Sequence, residues 1–567
     1  MTAVLDLADI QGNILRVYGK QGFAAARYLF FHVADATAGR AFVEAVRAKV
    51  TTARRWRNDP DALRARNYPK VKDGVRARGQ ADYPGPLDPD VDKPDITVNI
   101  AFTFYGLHAL DVPTRTLRGM PDEFIDGMAA RGRMLGDDLP GFKTDQIWKD
   151  SASGTAVARA VHILVSLNVD LDDDGTPKTA PGDEVNLLEK HTAWLCGLCA
   201  ENHVTLLKGH GPGNADWQDA AFILKEVQGK ILPVGKEHFG FSDGFGDPVF
   251  EGQYPADFEA GRVRGGGKIM PDQSWKPLAT GEFLLGHPDE AQEVPGAGMP
   301  ISFSRNGTFM VWRKLHENVG AFDAYFDKTA EAFAAFRQIP RGEAHETLLA
   351  KMAGRWSDGV PLMAAPTHAE WLAFQKRAAA AAAKDADPSE KLAVADAYVN
   401  FKFRDDPHGY KCPAGSHMRR VNTRDMLDPR FDSANPKEWN GSVLNNRRRI
   451  LRRGLPYGGK TDLRRDENEQ GIIFMAVCAS LFRQFEFVQQ QWLQYGLDFN
   501  AGNDTCPLLG NRDQSAKFVI PADPGTDDTP FICDDLPQLV EPRGGDYFFV
   551  PSMTALRMIA MGVVDPT

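Results

Sequence analysis

The apolar segments of the sequence are short, and this limits the folds that are open to the chain. The longest of them, residues 96–105 and 161–167, have the length of a β-strand, and neither approaches the roughly 20 residues that a membrane-spanning helix needs. In the first segment Val98, Ile100 and Phe102 alternate with small or polar residues, which is the two-residue period of a half-buried strand. The chain is therefore expected to build its core from short strands.

Helical patterns lie between the strand patterns. Strands are predicted at residues 28–33, 98–104, 161–167 and 308–312, and helices at residues 41–50, 186–200, 321–336 and 474–492. No junction between a predicted strand and a predicted helix carries the glycine fingerprint of a dinucleotide-binding fold. The pattern favours an α+β fold over a doubly wound nucleotide-binding sheet.

A short internal repetition indicates two related halves. Residues 10–15 (IQGNIL) recur as residues 227–232 (VQGKIL). A proline- and glycine-rich stretch follows the second copy and forms the expected boundary, so we assign an N-terminal half to residues 1–255 and a C-terminal half to residues 256–567. An alanine-rich stretch at about residues 345–398 predicts a helical insertion in the second half.

The charge balance argues against nucleic acid as a partner. The chain has 76 acidic and 66 basic side chains and a net charge of −10, and an acidic protein is a poor general binder of a polyanion. Six cysteines are too few for a disulfide scaffold, which favours a reducing compartment. Residues 1–9 contain acids where a secretory signal needs a basic start and an apolar core. We expect a cytoplasmic protein with no membrane segment, whose oligomeric state the sequence does not define.

Three motifs have suitable residues in unsuitable surroundings. Residues 454–461 fit the phosphate-loop pattern, but charged flanks replace the buried strand and the packed helix that such a loop requires. Residues 170–175 begin like a calcium loop, but Pro181 stands at its twelfth position, where a bidentate glutamate is needed. Cys196 and Cys199 lie in an amphipathic helical pattern, which favours core thiols over a redox pair or a zinc site. A nucleotide-dependent protein remains an alternative only.

Three other segments together favour one chemistry. Residues 239–248 (FGFSDGFGDP) hold Asp243 between glycines, which on its own indicates a tight turn. Residues 412–424 (CPAGSHMRRVNTR) contain His417, which alone would be an ordinary core or surface histidine. The arginine-rich residues 447–458 (RRRILRRGLPYG) would alone predict a solvated surface.

Read together, these segments resemble the dye-decolourising peroxidase family. The family's G-x-x-D-G motif corresponds to residues 240–244, its C-P-x-x-x-H-x-R-R-x-N-x-R segment to residues 412–424, and its I-L-R-R-G-x-P-Y-G segment to residues 450–458. Similar features run in the family's order from Asp9 to Trp492, so the resemblance covers nearly the whole chain. Residues 414–416 replace the aromatic-containing triplet before the histidine, and Thr423 replaces a common proline. The implied fold has two ferredoxin-like halves with antiparallel sheets, the dimeric α+β barrel type, and holds haem mainly in the C-terminal half.

The resemblance also implies a reactive group on each face of the haem. His417 would be the proximal ligand of the iron. Asp243, on the distal face, would move a proton from one oxygen of hydrogen peroxide to the other. Arg452 would stabilise the negative charge that develops as the peroxide bond breaks. Because the chain has no C-x-x-C-H motif, the haem is expected to be non-covalent haem b.

Further cofactor contacts follow from the same resemblance. Ile472 and Phe474 match positions that cover the distal face of the haem. Arg424 would meet a haem propionate, or would only brace the loop after His417. Glu486 is a candidate to orient His417 through its second ring nitrogen, although an exposed position on a helix is an equal alternative.

Two aromatic residues match positions at which the family is thought to relay electrons to the surface. These are Tyr457 and Trp492, and each is as well explained as a large core side chain.

The function implied is that of a peroxidase which uses hydrogen peroxide to oxidise aromatic compounds, such as dyes and phenols, by one-electron steps. Its partners would be hydrogen peroxide and aromatic reductants. The alternative is a haem-handling protein that stores haem or releases its iron and turns over little peroxide. Asp243 and Arg452 argue against this alternative, because storage has no evident use for them.

Overall fold

The structure, a computed structural model, is built around one large antiparallel sheet. It describes residues 5–57, 91–137, 139, 142–151, 159–211, 213, 215–227, 230–242, 244–254, 259, 261–383, 385–427, 441–459, 464–512, 516–523 and 525–564.

The strands are β1 (Ala25–Val33), β2 (Ile96–Phe102), β3 (Ile163–Val169), β4 (Val204–Leu206), β5 (Gln218–Ala221), β6 (Ile223–Val227), β7 (Lys230–Val234), β8 (Lys268–Ile269), β9 (Trp275–Lys276), β10 (Thr308–Glu317), β11 (Leu451–Arg452), β12 (Leu455–Tyr457), β13 (Gly471–Cys478), β14 (Phe518–Ile520), β15 (Phe531–Cys533) and β16 (Val540–Val550). The helices used below are α1 (Ala36–Arg47), α2 (Leu187–Glu201), α3 (Val319–Arg337), α4 (Arg341–Ala353), α5 (His368–Ala382), α6 (Pro388–Ala397), α7 (His417–Val421), α8 (Leu481–Glu486 and Val488–Leu493, with π-type hydrogen bonding) and α9 (Met553–Met561). Shorter helical segments are Gly12–Leu15, Tyr18–Gln21, Phe104–Ala109, Thr114–Leu117, Asp122–Asp126, Ala129–Arg131, Gly132–Leu135, Gln146–Ser151, Thr280–Glu282, Ile301–Ser304, Phe403–Asp405, Val443–Asn446 and Leu497–Phe499.

The large sheet joins strands from both ends of the chain. Its order is β11-β13-β10-β16-β2-β3-β1-β4, with β12 also on β13 and β5 also on β1. Strands β1 to β5 come from the first part of the chain, and β10 to β13 and β16 from the second. The two groups meet where Phe549 of β16 pairs with Phe102 of β2. The expected α+β fold with antiparallel sheets is confirmed.

Each face of the sheet is covered by its own core, because successive residues of a strand point to opposite faces. On β10, Phe309 and Val311 face one core, and Met310 and Trp312 face the other. Helices α1, α2 and α9 pack on the first core. Helix α3 has apolar residues at every third or fourth position, namely Phe322, Phe326, Ala330 and Phe333. With α4 these residues build a third core.

Two interpretations of the sequence are wrong in detail. The helix predicted at residues 474–492 begins only at Leu481, because residues up to Cys478 complete β13; a continuous apolar run does not distinguish a buried strand from a buried helix. In the C-x-x-C pair, Cys199 is buried, but Cys196 lies on the exposed side of α2.

The phosphate-loop pattern forms no phosphate-binding turn in its described part. Leu455–Tyr457 is strand β12 and pairs with β13, and residues 460–461 lie outside the described residues. Among the described helices, none combines the length and the apolar character that crossing a membrane requires. The cytoplasmic location stays a prediction.

The stretch at about residues 345–398 contains most of α4 and all of α5 and α6. These helices have a small core of their own, in which Trp356 and Trp371 stack with ring centroids 4.7 Å apart. The stretch also reaches the chemistry-bearing segments, since Tyr398 stacks on Phe245 at 5.5 Å and the carbonyl of Ser357 accepts a hydrogen bond from the amide of Ser242 at 3.0 Å.

Candidate active site

His417 lies at the start of α7, directly after the buried Ser416. Its imidazole is half-buried, and its Nδ1 is 3.3 Å from Sγ of Cys506. Within the described part of the chain, no hydrogen-bond partner of its Nε2 is found. The protein therefore holds one ring nitrogen and leaves the other able to bind a metal.

The two arginines that follow His417 hold its loop in place. The guanidinium of Arg420 donates to four carbonyls, those of Gly415 (2.8 Å), Trp492 (3.0 Å), Tyr495 (2.8 Å) and Asp504 (2.9 Å). Arg419 is fully buried, pairs with the carboxylate of Asp406 at 3.1 Å and donates to the Cys412 carbonyl at 2.6 Å. The position of His417 thus depends on buried charge-assisted hydrogen bonds.

Cys506 lies in positively charged surroundings. It is fully buried, and its carbonyl accepts a hydrogen bond from Nη2 of Arg512 at 2.5 Å. Burial alone raises the pKa of the thiol, but the charge and hydrogen bond of His417, and the nearby Arg420, lower it to about 6. The sulfur is therefore a polar partner of the imidazole as well as part of the third core.

The second segment, around residues 240–247, is bound by arginines of the third. Arg452 donates from Nη2 to the Phe245 carbonyl at 2.9 Å. Arg449 donates to the Gly246 carbonyl at 3.3 Å, and Arg453 pairs with the carboxylate of Asp247 at 3.1 Å. Two motifs that are some 200 residues apart in the sequence are thus in direct contact. Asp243 itself lies outside the described residues.

A buried carboxyl pair supports the start of this loop. The carboxylate of Glu237 accepts hydrogen bonds from the amides of Phe239 (2.7 Å) and Phe241 (2.6 Å). Glu317 of β10 lies beside it and accepts from the amide of His238 at 3.3 Å. Burial, and then the neighbouring Glu237, raise the pKa of Glu317 well above its ordinary value, so the pair shares a proton.

Ile472 and Phe474 lie on one face of β13. Both are half-buried in a strand whose other residues are buried. Ala476 lies on the same face of β13, because alternate residues of a strand point the same way. Arg452 pairs with Ala476, and Leu315 of β10 pairs with Ile472, so the side chains of Arg452 and Leu315 also lie on this face. This face is apolar and partly open at Ile472 and Phe474, and it carries two arginines, Arg452 and the buried Arg313, which pairs with Phe474.

The third core links this face to the other two segments. The half-buried residues that pack against it include Leu315 of the sheet face, Phe241 of the 240–247 loop and Val421 of α7, and Cys506 belongs to it. The sheet face, the loop and the His417 segment therefore surround one region of the molecule.

Arg424 braces its loop. Its guanidinium donates to the carbonyls of Val399 (2.9 Å) and Phe401 (2.7 Å) and lies 3.7 Å above the Phe401 ring. Burial, followed by the charges of Arg449 and Arg355, lowers its pKa well below the ordinary value. Of the two roles considered for Arg424, the contacts match the structural one.

The carboxylate of Glu486 is hydrogen-bonded to residues other than His417. Its carboxylate accepts hydrogen bonds from Arg131 (2.5 and 2.7 Å) and from the Tyr547 hydroxyl (2.8 Å), and it is buried. The structure thus gives Cys506, and not Glu486, as the neighbour of the second ring nitrogen of His417.

Tyr457 and Trp492 are both interior side chains, 1% and 2% exposed. The Tyr457 hydroxyl has no hydrogen-bond partner among the described residues, and its ring lies 5.0 Å from Nζ of Lys314. Trp492 donates from Nε1 to Asp498 at 3.1 Å. Neither side chain can itself touch a bulky molecule in solution.

The sequence and the fold are similar to those of known peroxidases. The family model described as the DyP dimeric alpha+beta barrel domain matches residues 9–166. Peroxidase 2 of Mycetinis scorodonius is 24% identical to this chain, in an alignment that covers 98% of this chain and 87% of the relative. The multifunctional dye peroxidase DyP2 of an Amycolatopsis species is 29% identical, in an alignment that covers 57% of this chain and 61% of the relative. A solved dye-decolorizing peroxidase in complex with 2,6-dimethoxyphenol superposes with a TM-score of 0.64 at 24% identity, covering 98% of this chain and 100% of that one. The chain thus contains the DyP dimeric alpha+beta barrel domain near its start, and it is similar in sequence and fold to dye-decolourising peroxidases over nearly its whole length.

The donor set of the chain fits the haem that peroxidases of this kind bind. A proximal ligand needs one free ring nitrogen and a fixed orientation, and His417 offers both. Ile472 and Phe474 present apolar surface of the kind that a porphyrin ring buries, and Arg452 lies on the same face.

Several residues of the site were not identified from the sequence. Arg449 and Arg453 bind the 240–247 loop, and the unusual density of arginine at residues 447–453 was the available signal. Cys506 gave no signal, because a single cysteine in a loop has no local pattern. Glu237 and Glu317 are 80 residues apart in the chain, and only the fold brings them together.

Proposed function

We propose that this protein is a haem peroxidase, a hydrogen-peroxide-dependent oxidoreductase that oxidises aromatic compounds such as dyes and phenols by one-electron steps. The observation that carries the proposal is the imidazole of His417, with Nδ1 held by the protein and Nε2 without a partner among the described residues. The names of the relatives, and the phenol bound in one of the solved structures, support the aromatic substrate class.

The chain's own residues would divide the work as follows. His417 binds the iron through Nε2, and Arg452, fixed by the Phe245 carbonyl, donates hydrogen bonds to the negative charge that develops on the peroxide. Asp243 would take a proton from one oxygen of hydrogen peroxide and return it to the other, which would leave as water. Haem, when bound, supplies the iron centre that accepts peroxide and is afterwards reduced by two one-electron donors.

Ile472 and Phe474 would cover the ring and keep water away from it. The haem is proposed to be the non-covalent b type. Cys412, the cysteine nearest to His417 in the sequence, is fully buried, and its Sγ lies 3.3 Å from Oγ of Ser416. The chain also lacks the C-x-x-C-H motif of attached haem.

Bulky reductants would deliver electrons at the surface. Because Tyr457 and Trp492 are buried, either one would serve as an inner relay that needs an exposed partner. Tyr495 is 52% exposed, and its carbonyl and that of Trp492 accept from the same nitrogen of Arg420. We expect Tyr495→Phe to lower turnover of a bulky dye while leaving a small phenol unaffected; equal effects on both would remove Tyr495 from this route.

Replacing Arg452 tests the charge-stabilising role. Arg452→Leu should keep haem but react with hydrogen peroxide 100- to 1,000-fold more slowly, a typical cost of losing one donor to a developing oxyanion. The rate is measured by stopped-flow absorption under excess peroxide. Arg448→Leu is the matched control, because this half-buried arginine of the same segment donates to the Arg483 carbonyl and stacks on Phe487 instead. A wild-type rate in Arg452→Leu would contradict the role.

Asp243→Asn tests the proton transfer. The pH profile of the peroxide reaction should change in this variant, since an amide cannot carry the proton between the two oxygens. An unchanged profile would remove Asp243 from the mechanism. Haem binding with no peroxide turnover in the wild-type protein would favour the haem-handling alternative.

A further inference from the structure

We infer that Cys506 is the positioning residue of the proximal imidazole, its sulfur accepting a hydrogen bond from Nδ1–H of His417. The inference rests on the proposed function, in which His417 binds the haem iron. Its basis is the 3.3 Å separation between Nδ1 and Sγ, together with the complete burial of the thiol. Sulfur is a larger and weaker acceptor than oxygen, so a contact of this length is a normal one.

The backbone on both sides of the sulfur is fixed. The amide of Cys506 donates to the Leu493 carbonyl at 2.7 Å, and its carbonyl accepts from Arg512 at 2.5 Å and from the amide of Gly510 at 3.0 Å. These bonds hold the Cα position of Cys506 from α8 and from its own loop. The sulfur therefore points at His417 because of the fold, without a need for adjustment when a ligand binds.

Arg420 locks the two segments to each other. It donates to the carbonyl of Gly415, two residues before His417, and to that of Asp504, two residues before Cys506. One guanidinium thus sets the distance between the imidazole and the sulfur. The carboxylate that could have competed, that of Glu486, is already bonded to Arg131 and Tyr547.

This contact has two chemical consequences. An acceptor at Nδ1 keeps the proton on that nitrogen, so the lone pair of Nε2 is directed to the metal. The acceptor also draws the proton toward itself and makes the imidazole a stronger electron donor to the iron. A stronger donor stabilises the ferric state over the ferrous one.

The test compares Cys506→Ala with Cys533→Ala. Cys533 is a second buried free thiol of the same core, with no hydrogen bond to His417, so its removal costs similar packing. In Cys506→Ala the iron–histidine stretching frequency of the ferrous protein should fall, the ferric/ferrous reduction potential should rise, and haem should dissociate on the order of tenfold faster. Cys533→Ala should leave the frequency and the potential at wild-type values, and Cys506→Ser should restore part of both.

The inference is overturned if Cys506→Ala has the same iron–histidine stretching frequency and the same reduction potential as the wild type, even if that variant is less stable. The haem-free wild-type protein gives an independent readout if the variant does not fold. Its ¹⁵N spectrum, with labelled histidine, should show His417 protonated at Nδ1; protonation at Nε2 alone would also overturn the inference. A wild-type protein that fails to bind haem, with Nδ1 protonated, would instead contradict the proposed function and leave the contact intact.

Discussion

Arg420 offers the most direct way to break the support of the proximal segment without touching its ligand. Its side chain is 1% exposed and donates to four carbonyls from three parts of the chain. Arg420→Met keeps an apolar side chain of similar length and removes all four hydrogen bonds together, along with the contact of the guanidinium with the Phe499 ring. The loop that carries His417 should then lose its connection to α8 and to the loop that carries Cys506.

The expected loss can be estimated from these contacts. A hydrogen bond to a charged group contributes about 1.5–3 kcal/mol net, so four would contribute at least about 6 kcal/mol. Part of this is offset, because burial lowers the pKa of Arg420, which means that the guanidinium is held at a solvation cost. The carbonyl of the exposed Tyr495 can also return to water. We therefore expect Arg420→Met to lower the free energy of unfolding by about 3–5 kcal/mol.

The assay is urea denaturation of the haem-free protein, combined with hydrogen exchange of the amides in residues 412–424. Arg448→Met is the control, because it removes only one hydrogen bond and one ring contact and should cost about 2 kcal/mol. Arg420→Lys should recover only part of the loss, since an ammonium cannot reach four separate carbonyls. If Arg420→Met costs no more than Arg448→Met, the argument that Arg420 holds this segment is wrong.

Two further predictions concern pH. Burial raises the pKa of Asp546 to about 7, so the contribution of this group to the free energy of unfolding is largest below pH 4 and falls as the pH rises to 7. Asp546→Asn should therefore raise the free energy of unfolding at pH 8 by up to about 4 kcal/mol. Denaturation of the same variant at pH 4 should show no gain. The raised pKa of Glu317 acts in the same direction, so the protection factors of the Phe239 and Phe241 amides, which divide out the intrinsic base-catalysed exchange rate, should fall in the wild type as the pH is raised through the titration of the pair. Glu317→Gln should abolish that loss of protection with pH, and its persistence would contradict a shared proton.

The sequence was sufficient to predict strands and helices whose hydrophobic periodicity is visible within the segment itself. The alternation at Val98, Ile100 and Phe102 predicted β2, and apolar spacing predicted α2 and α3 to within two residues at each end. Helix α8 was placed too early, because Ile473 and Met475 belong to an apolar run that fits either structure until its sheet partners are known.

The site was harder to predict, because its contacts join distant parts of the chain. The motifs around His417 and Arg452 were recognised by their resemblance to a family, not by any local pattern. Glu486 was a reasonable candidate for orienting His417, but a helix pattern does not reveal which side chain of another segment it faces. Cys506 fills that position because long-range contacts, among them those of Arg420 and the bond from its own amide to the Leu493 carbonyl, hold its loop beside α7.

The proposed function requires that this chain binds haem through His417 and reacts with hydrogen peroxide there. The visible absorption spectrum of the haemin-loaded protein, recorded before and after one equivalent of hydrogen peroxide, tests it most directly. We expect a Soret band that changes promptly with peroxide and returns after two equivalents of a one-electron phenolic donor, and we expect His417→Ala to lose that behaviour. A wild-type protein that shows no Soret band after addition of haemin would refute haem binding through His417 and the peroxidase function with it.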